Sequence, residues 1–409
     1  MASSPQTADP SSAQFPNATR PQARKPFSLY LHIPYCQAKC PYCDFNSYAA
    51  THWPEDAYTE ALCAEMRHYA QDDPWRNAEI QTIFFGGGTP SLFQPRSIGR
   101  LLDTAGQLWS LAGEVETTLE ANPGTISQES LGGFRAAGVN RMSFGVQSFS
   151  PRHLQALGRI HGPQEACDAV RLAYGVGFES VSIDLIFALP EQTLAEWEND
   201  LGAALQLQTN HISAYNLTYE EGTAFHQWRQ QGRLHNLPEE VEVAMFTRTQ
   251  EMLAAAGFEQ YEVSNYARPG KECRHNLNYW QNGSYLGIGA GAHSHSGGRA
   301  TPSGWGERWG NEKSPGRYMD LVRVTGAARA SHEELSETQA RGEFAFLGLR
   351  CACGFAIEEF EARFGCTVET AFPHIEQLRS DGLLRRDEQS WRLTPRGLLL
   401  ADAVFATFL

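Results

Sequence analysis

Hydrophobic positions between residues 27 and 265 fall into short β-type runs separated by longer stretches of helical periodicity. The β-type runs are 29–33 (LYLHI), 81–85 (QTIFF), 116–121 (ETTLEA), 140–146 (NRMSFGV), 180–186 (SVSIDLI) and 211–217 (HISAYNL). Helical patterns lie near 55–70, 95–109, 127–137, 164–176, 194–207 and 238–257. Alternation of this kind predicts a parallel sheet with helices packed against it. Six units are too few to close an eight-stranded barrel, so the expected fold is α/β, an open partial (β/α)6 barrel over 27–265.

Beyond the sixth unit the periodicity fades. Residues 266–330 are rich in Gly, Asn, Ser and aromatics, and read as an irregular segment packing on the barrel. From 331 helical patterns return at 333–350, 355–364 and 368–380, followed by GLLRRDEQSWRLT and a closing helix. Helices followed by a hairpin predict a C-terminal winged-helix-like domain over 331–409. Residues 1–26 hold Ala, Ser, Pro and Gln without an apolar core, unlike a secretory signal. Arg20 and Arg24 would suit a transit peptide, but Pro5, Pro10, Pro16 and Pro21 oppose its amphipathic helix, and a disordered leader is expected.

Composition adds exclusions. A chain of 409 residues that is 42% hydrophobic and 20% charged is ordinary for a globular protein. No apolar run approaches the roughly 20 residues that span a bilayer. A formal net charge of -14 argues against a nucleic-acid partner, and residues 331–409 carry 8 Arg and no Lys against 13 Asp plus Glu. Nine cysteines without a signal peptide do not form an expected disulfide framework, which points to a cytoplasmic protein.

Three of those cysteines crowd into one loop. HIPYCQAKCPYCDF follows the first strand and places Cys36, Cys40 and Cys43 in a C-x3-C-x2-C spacing. Three thiolates this close can share one metal centre, and with no fourth cysteine nearby one metal position stays open. His32 completing a Cys3His zinc site is the alternative. Cys40-Pro41 also reads as a heme-regulatory dipeptide, although the cluster claims that cysteine first.

With Tyr42 before its last cysteine, the motif resembles the signature of the radical S-adenosylmethionine (SAM) superfamily. LYLHIPYCQAKCPYCDF is similar to the branch holding oxygen-independent coproporphyrinogen III oxidase and the HemW heme chaperones, a likeness running over 27–409. The resemblance implies a [4Fe-4S] cluster on Cys36, Cys40 and Cys43 whose open iron is chelated by SAM. It also implies SAM contacts at Tyr30, Tyr42, Gly87, Gly88, Thr89, Glu120, Gln147, Arg159 and Asp184, which occupy matching positions. Their side chains suit such contacts. Glycines admit a ligand to the backbone, Arg159 grips carboxylates, and Asp184 is a charge within an apolar strand.

Two features separate the branches. The oxidase pattern has a further cysteine where this chain has Phe45, and HNLNYW (275–280) matches the H-N-x-x-Y-W motif of the chaperone branch. A neutral imidazole is a common heme ligand, so His275 is the candidate axial ligand, with Tyr279 and Trp280 offering flat apolar area. GIGAGAHSH (287–295) adds a glycine loop and two more histidines, His293 and His295. The expected function is therefore a heme chaperone that carries heme as cargo to respiratory acceptor proteins. The competing expectation is the oxidase, which decarboxylates propionate side chains; a radical SAM enzyme with another substrate comes third. No catalytic residue is assigned, and homodimerisation and peripheral membrane association stay open.

Overall fold

A computed structural model describes residues 25–298 and 303–409. The leader expected over 1–26 lies almost wholly outside the described residues.

The six predicted units form as a parallel barrel wall. Its strands are β1 (Pro26–Ile33), β2 (Glu79–Gly87), β3 (Ser110–Ala121), β4 (Arg141–Gln147), β5 (Ser180–Phe187) and β6 (His211–Asn216). All five contacts between successive strands are parallel. Helices α1 (Glu55–Tyr69), α2 (Pro95–Leu108), α3 (Gln128–Ala137), α4 (Pro163–Gly175), α5 (Leu194–Gln206) and α6 (Glu239–Ala255) follow the strands in turn. Their starts carry clear signals, such as the capping boxes at Ser127 and Thr193, which satisfy first-turn amides. The strands are buried on both faces, as parallel sheets require, and Leu29, Leu31, Ile83, Phe85, Ile183 and Leu185 lie in one core.

The stretch expected to be irregular extends this sheet instead. After β7 (Asn265–Ala267) and α7 (Arg274–Trp280) come β8 (Tyr285–Ile288), β9 (His293–Gly297), β10 (Gly306–Asn311), α8 (Pro315–Thr325) and β11 (Arg329–Glu334). Among the described residues one twelve-stranded sheet results, with β8 parallel to β1 and β9–β11 added antiparallel. Strands of four to six residues that are rich in Gly, Ser and charge carry little period-two signal, which is why the pattern hid them.

The C-terminal unit has its own apolar core around Phe344, Phe360, Phe364, Trp391 and Phe405. Two expected helices change here. Residues 329–334 are strand, so α9 (Glu337–Arg350) starts later, capped by Ser336 with Gln339. The pattern at 368–380 splits into Val368–Ala371 and Ile375–Ser380, because Pro373 cannot continue a helix. The expected hairpin forms between β12 (Leu384–Arg386) and β13 (Ser390–Leu393). No described helix is long and apolar enough to cross a membrane.

Candidate functional site

The cysteine loop leaves β1 and is closed by a short parallel pairing of Tyr35–Cys36 with Tyr48–Ala49. Inside it Lys39 donates to the carbonyls of Phe45 (2.9 Å) and Ser47 (3.0 Å), folding the loop back on itself. Cys36, Cys40 and Cys43 are free and half-buried. Burial pushes the Cys36 and Cys43 thiols up, while the Thr89 and Ser47 hydroxyls pull them down. Donors already face the sulfurs: the Thr89 hydroxyl at 3.5 Å from Cys36 Sγ and an Arg159 N–H at 3.6 Å from Cys40 Sγ. Such donors stabilise thiolates, the form in which cysteine binds metal.

His32 is engaged elsewhere. Its Nε2 lies 2.9 Å from the Asn46 carbonyl and must donate there, leaving Nδ1 to accept from the Tyr30 hydroxyl at 2.9 Å. Burial pushes its pKa down to about 4, so the ring is neutral. With both nitrogens in use it is not placed to complete a Cys3His zinc site. Among the described residues no set of three His, Cys, Asp or Glu converges on a single ion. Three thiolates on a cluster contact different irons and need not converge on one point.

The other SAM-position residues stand on the carboxyl edge and inner wall of the barrel. Gly87 ends β2 with φ +111, and a Cβ there would fall 2.4 Å from the His32 ring, so glycine is required. Gly88 and Thr89 follow, their amides donating to the carbonyls of Ile33 and Tyr35, which docks the GGG turn on the cysteine loop. Glu120 near the end of β3 accepts from the Gly87 amide at 3.3 Å. It is half-buried, and desolvation followed by repulsion from Asp184 pushes its pKa up to about 8. Asp184, inside β5, is raised to about 6 by burial, opposed by Ser213, Arg141 and Arg159. Gln147 ends β4 with φ 71 and a buried Oε1 that has no partner. Arg159 donates to the Gly145 carbonyl at 2.5 Å while its Nε is unpaired. Tyr42 packs on Phe225, and its phenol, raised by burial, is stabilised by Arg159. Between these loops lies a narrow cleft lined by Gln37, Cys40, Thr89, Asn122, Thr125 and Arg159. Unpaired polar atoms, a cation and two protonatable carboxyls fit a ligand with both ammonium and carboxylate ends.

The HNLNYW helix α7 lies at the opposite edge. The His275 amide donates to Glu116 at 3.1 Å, and Arg274 donates to the Gln81 carbonyl at 2.8 Å, both in the early parts of their strands. His275 is 1% exposed. Its Nδ1 is 2.7 Å from the Thr82 hydroxyl, which donates to Ser28, and its Nε2 is 3.0 Å from the Tyr279 hydroxyl. Burial pushes His275 down to about 3, a neutral ring stacked on Phe84 at 4.9 Å. Trp280 sits beneath the Arg350 guanidinium at 4.3 Å, in the seam with the C-terminal unit. The structure thus brings Gly87, Glu120 and the cysteines towards one edge and places His275, Tyr279 and Trp280 towards the other, with Tyr30 between them, bonded to His32 and 6.4 Å from the His275 ring.

Sequence reasoning missed residues that hold the edge together. His161 bridges the Val146 carbonyl (3.1 Å) and Asn122 Oδ1 (2.9 Å), fixing the end of β4 to the following turn. Asn46 donates to the carbonyls of Ala290 (2.9 Å) and Lys313 (3.0 Å), tying the cysteine loop to the GIGAGAH loop. These contacts span 15 to 267 residues of sequence and leave no local pattern to read.

Comparisons with known proteins speak to family and fold. Residues 30–204 match the radical SAM superfamily, and residues 335–400 match the HemN C-terminal domain. The heme chaperone HemW of Escherichia coli is 40% identical over 94% of this chain and 98% of its own. That of Bacillus subtilis is 38% identical over 93% and 99%. The solved structure of coproporphyrinogen III oxidase (HemN) from Escherichia coli, a radical SAM enzyme, superposes with a TM-score of 0.80, covering 94% of this chain and 90% of its own. At 24% identity that last likeness speaks for the fold alone.

Proposed function

This chain belongs to the HemW family of radical SAM proteins, and from that premise we propose that it binds heme and hands it to acceptor proteins. The observation that carries the reading is identity of 38–40% over nearly the whole length of two heme chaperones. In this reading the acceptors are respiratory proteins and the site of action is the cytoplasm.

Cys36, Cys40 and Cys43 would hold a [4Fe-4S] cluster, which when bound supplies an electron and an open iron to SAM. The rest is work for the chain's own groups. Thr89 and Arg159 stabilise thiolates by donating to sulfur. Glu120 and Asp184 supply carboxyls for an ammonium or ribose hydroxyl, and Arg159 a cation for a carboxylate. Thr89 and Arg159 line the cleft beside Cys40, and Gly87, Gly88, Gln147, Tyr30 and Tyr42 would contact SAM around it. For His275 to ligate heme iron, its bond to Tyr279 or to Thr82 would have to open.

The test is anaerobic reconstitution of the full chain, followed by hemin titration and by coproporphyrinogen conversion with SAM and a reductant. Stoichiometric heme binding without conversion supports the chaperone; robust formation of protoporphyrinogen overturns it in favour of the oxidase. Cys→Ala at 36, 40 or 43 is expected to abolish the cluster's visible absorption. Zinc at full occupancy with no iron uptake would remove the cluster from the proposal.

A further inference from the structure

The GIGAGAH loop is a tightly held, largely buried segment beside the cysteine loop, and it ends on an exposed imidazole. The Gly289 amide donates to buried Glu65 at 3.0 Å, and the Ala290 amide to the Tyr58 hydroxyl at 2.8 Å. Asn311 donates to Glu65 (2.8 Å) and to the Gly289 carbonyl (3.0 Å), while the Gly291 amide donates to the Glu312 carbonyl at 2.9 Å. Asn46 fixes the Ala290 carbonyl from the other side. Next comes His293, first residue of β9, which is exposed and whose ring makes no hydrogen bond among the described residues. Opposite it in β10 stands Gly310, where a Cβ would lie 3.0 Å from the His293 ring carbon Cε1. The fold keeps that position bare, so the imidazole stands clear. Partial burial, then the Lys313 and Arg308 cations, lower its pKa and keep the ring neutral.

Its surroundings are those a porphyrin needs. Phe45, in the same loop as the cysteines, is 63% exposed, and Tyr48 is 39% exposed. Tyr48 donates to Asn46 Oδ1 and to the Lys313 carbonyl, both at 3.1 Å, and Asn46 donates to the Ala290 carbonyl, so Tyr48, Lys313 and the His293 loop are tied together, with Phe45 next to Asn46 in the chain. Lys313 makes no ion pair among the described residues. Exposed aromatic area beside a free neutral imidazole and a free ammonium matches an apolar macrocycle that carries an iron and carboxylates.

We propose that heme docks on this patch, with its iron taken by His293, its ring against Phe45 and Tyr48, and a propionate on Lys313. This assignment rests on the heme-binding reading above and names the site. It puts the cargo beside the cysteine loop, on the face of the barrel opposite α7.

Hemin titration of the reconstituted full chain tests it, with iron-free protoporphyrin as a second probe. His293→Ala is expected to lose the wild-type Soret position and to weaken hemin binding about tenfold or more, while protoporphyrin binding stays as in wild type. Gly310→Ala keeps the imidazole but crowds it, and should shift the hemin spectrum in the same sense. Lys313→Gln should weaken both probes, since both carry propionates. A wild-type spectrum and affinity in His293→Ala, or loss of the axial ligand in His275→Ala instead, overturns the assignment while leaving heme binding intact. Absence of hemin binding by the wild-type chain overturns the heme reading itself.

Discussion

At the amino edge of the barrel, His211 and His275 have both ring nitrogens bonded, and Arg141 sits 3.8 Å from Glu116 while donating through Nη1 to Ser180 and the Lys271 carbonyl, its Nη2 alone without a partner. At the carboxyl edge, Gln147 Oε1 and Arg159 Nε are buried without partners, and Glu120 is held protonated near neutrality. Both edges use histidine, arginine and acids enclosed by the same sheet. What differs is the histidines and acids: at the amino edge the rings and Glu116 are partnered within the chain, while at the carboxyl edge Glu120 and Gln147 face an opening. A buried polar network that is satisfied internally closes and stiffens a structure; one left incomplete is costly unless a ligand completes it. The amino edge is thus a closure, and the carboxyl edge is a site.

The largest effect that separates them is expected at Arg141. Arg141→Met leaves Glu116 buried without its cation, and breaking a buried pair costs about 3–5 kcal/mol. Chemical denaturation should report that loss, while the folded fraction still takes up the cluster. His275→Ala comes next: it removes a buried ring and the partner of Tyr279, costing about 2–3 kcal/mol. Cluster absorption and SAM binding should be unchanged in both. If either variant were as stable as wild type, or lost SAM binding while folded, the amino edge would be more than a closure.

Much of the carboxyl edge was legible in sequence because each of its residues follows, or lies late in, a strand of clear pattern. Cys36 to Cys43 are local, Gly87 to Thr89 are local, and each βα unit announces its own end. The closing role of HNLNYW was not legible. His275 finds Thr82 across 193 residues, and no periodicity marks Thr82 as a partner rather than a core threonine. The edge strands β9–β11 escaped for a related reason, since their pairing is set by neighbours and not by their own hydrophobic pattern. The motif was recognisable as a family mark, but nothing in its letters says that both ring nitrogens of His275 are bonded within the fold.

The effect per pH unit is the smallest expected, and it tests the carboxyl edge most directly. Glu120 binds its proton up to about pH 8, against an ordinary value near 4.5. Between those values the folded chain holds more protons than the unfolded one, so stability falls as pH rises. One such group contributes a slope of at most ~1.4 kcal/mol per pH unit across the window. Glu120→Gln removes the ionisation, and the slope with it. In the chain without SAM it should therefore be level with wild type near pH 4 and more stable than wild type at pH 8. Asp184, raised to about 6, adds a slope of the same sign at lower pH that survives the substitution. A cation bound beside Glu120 would favour its charged form, so added SAM should flatten the wild-type slope and leave that of Glu120→Gln unchanged. Denaturation midpoints at pH 5.5 and 8, with and without SAM, decide the matter. If Glu120→Gln is the less stable protein at pH 8, its carboxylate already has a partner within the chain, and the contrast between the two edges collapses at that residue.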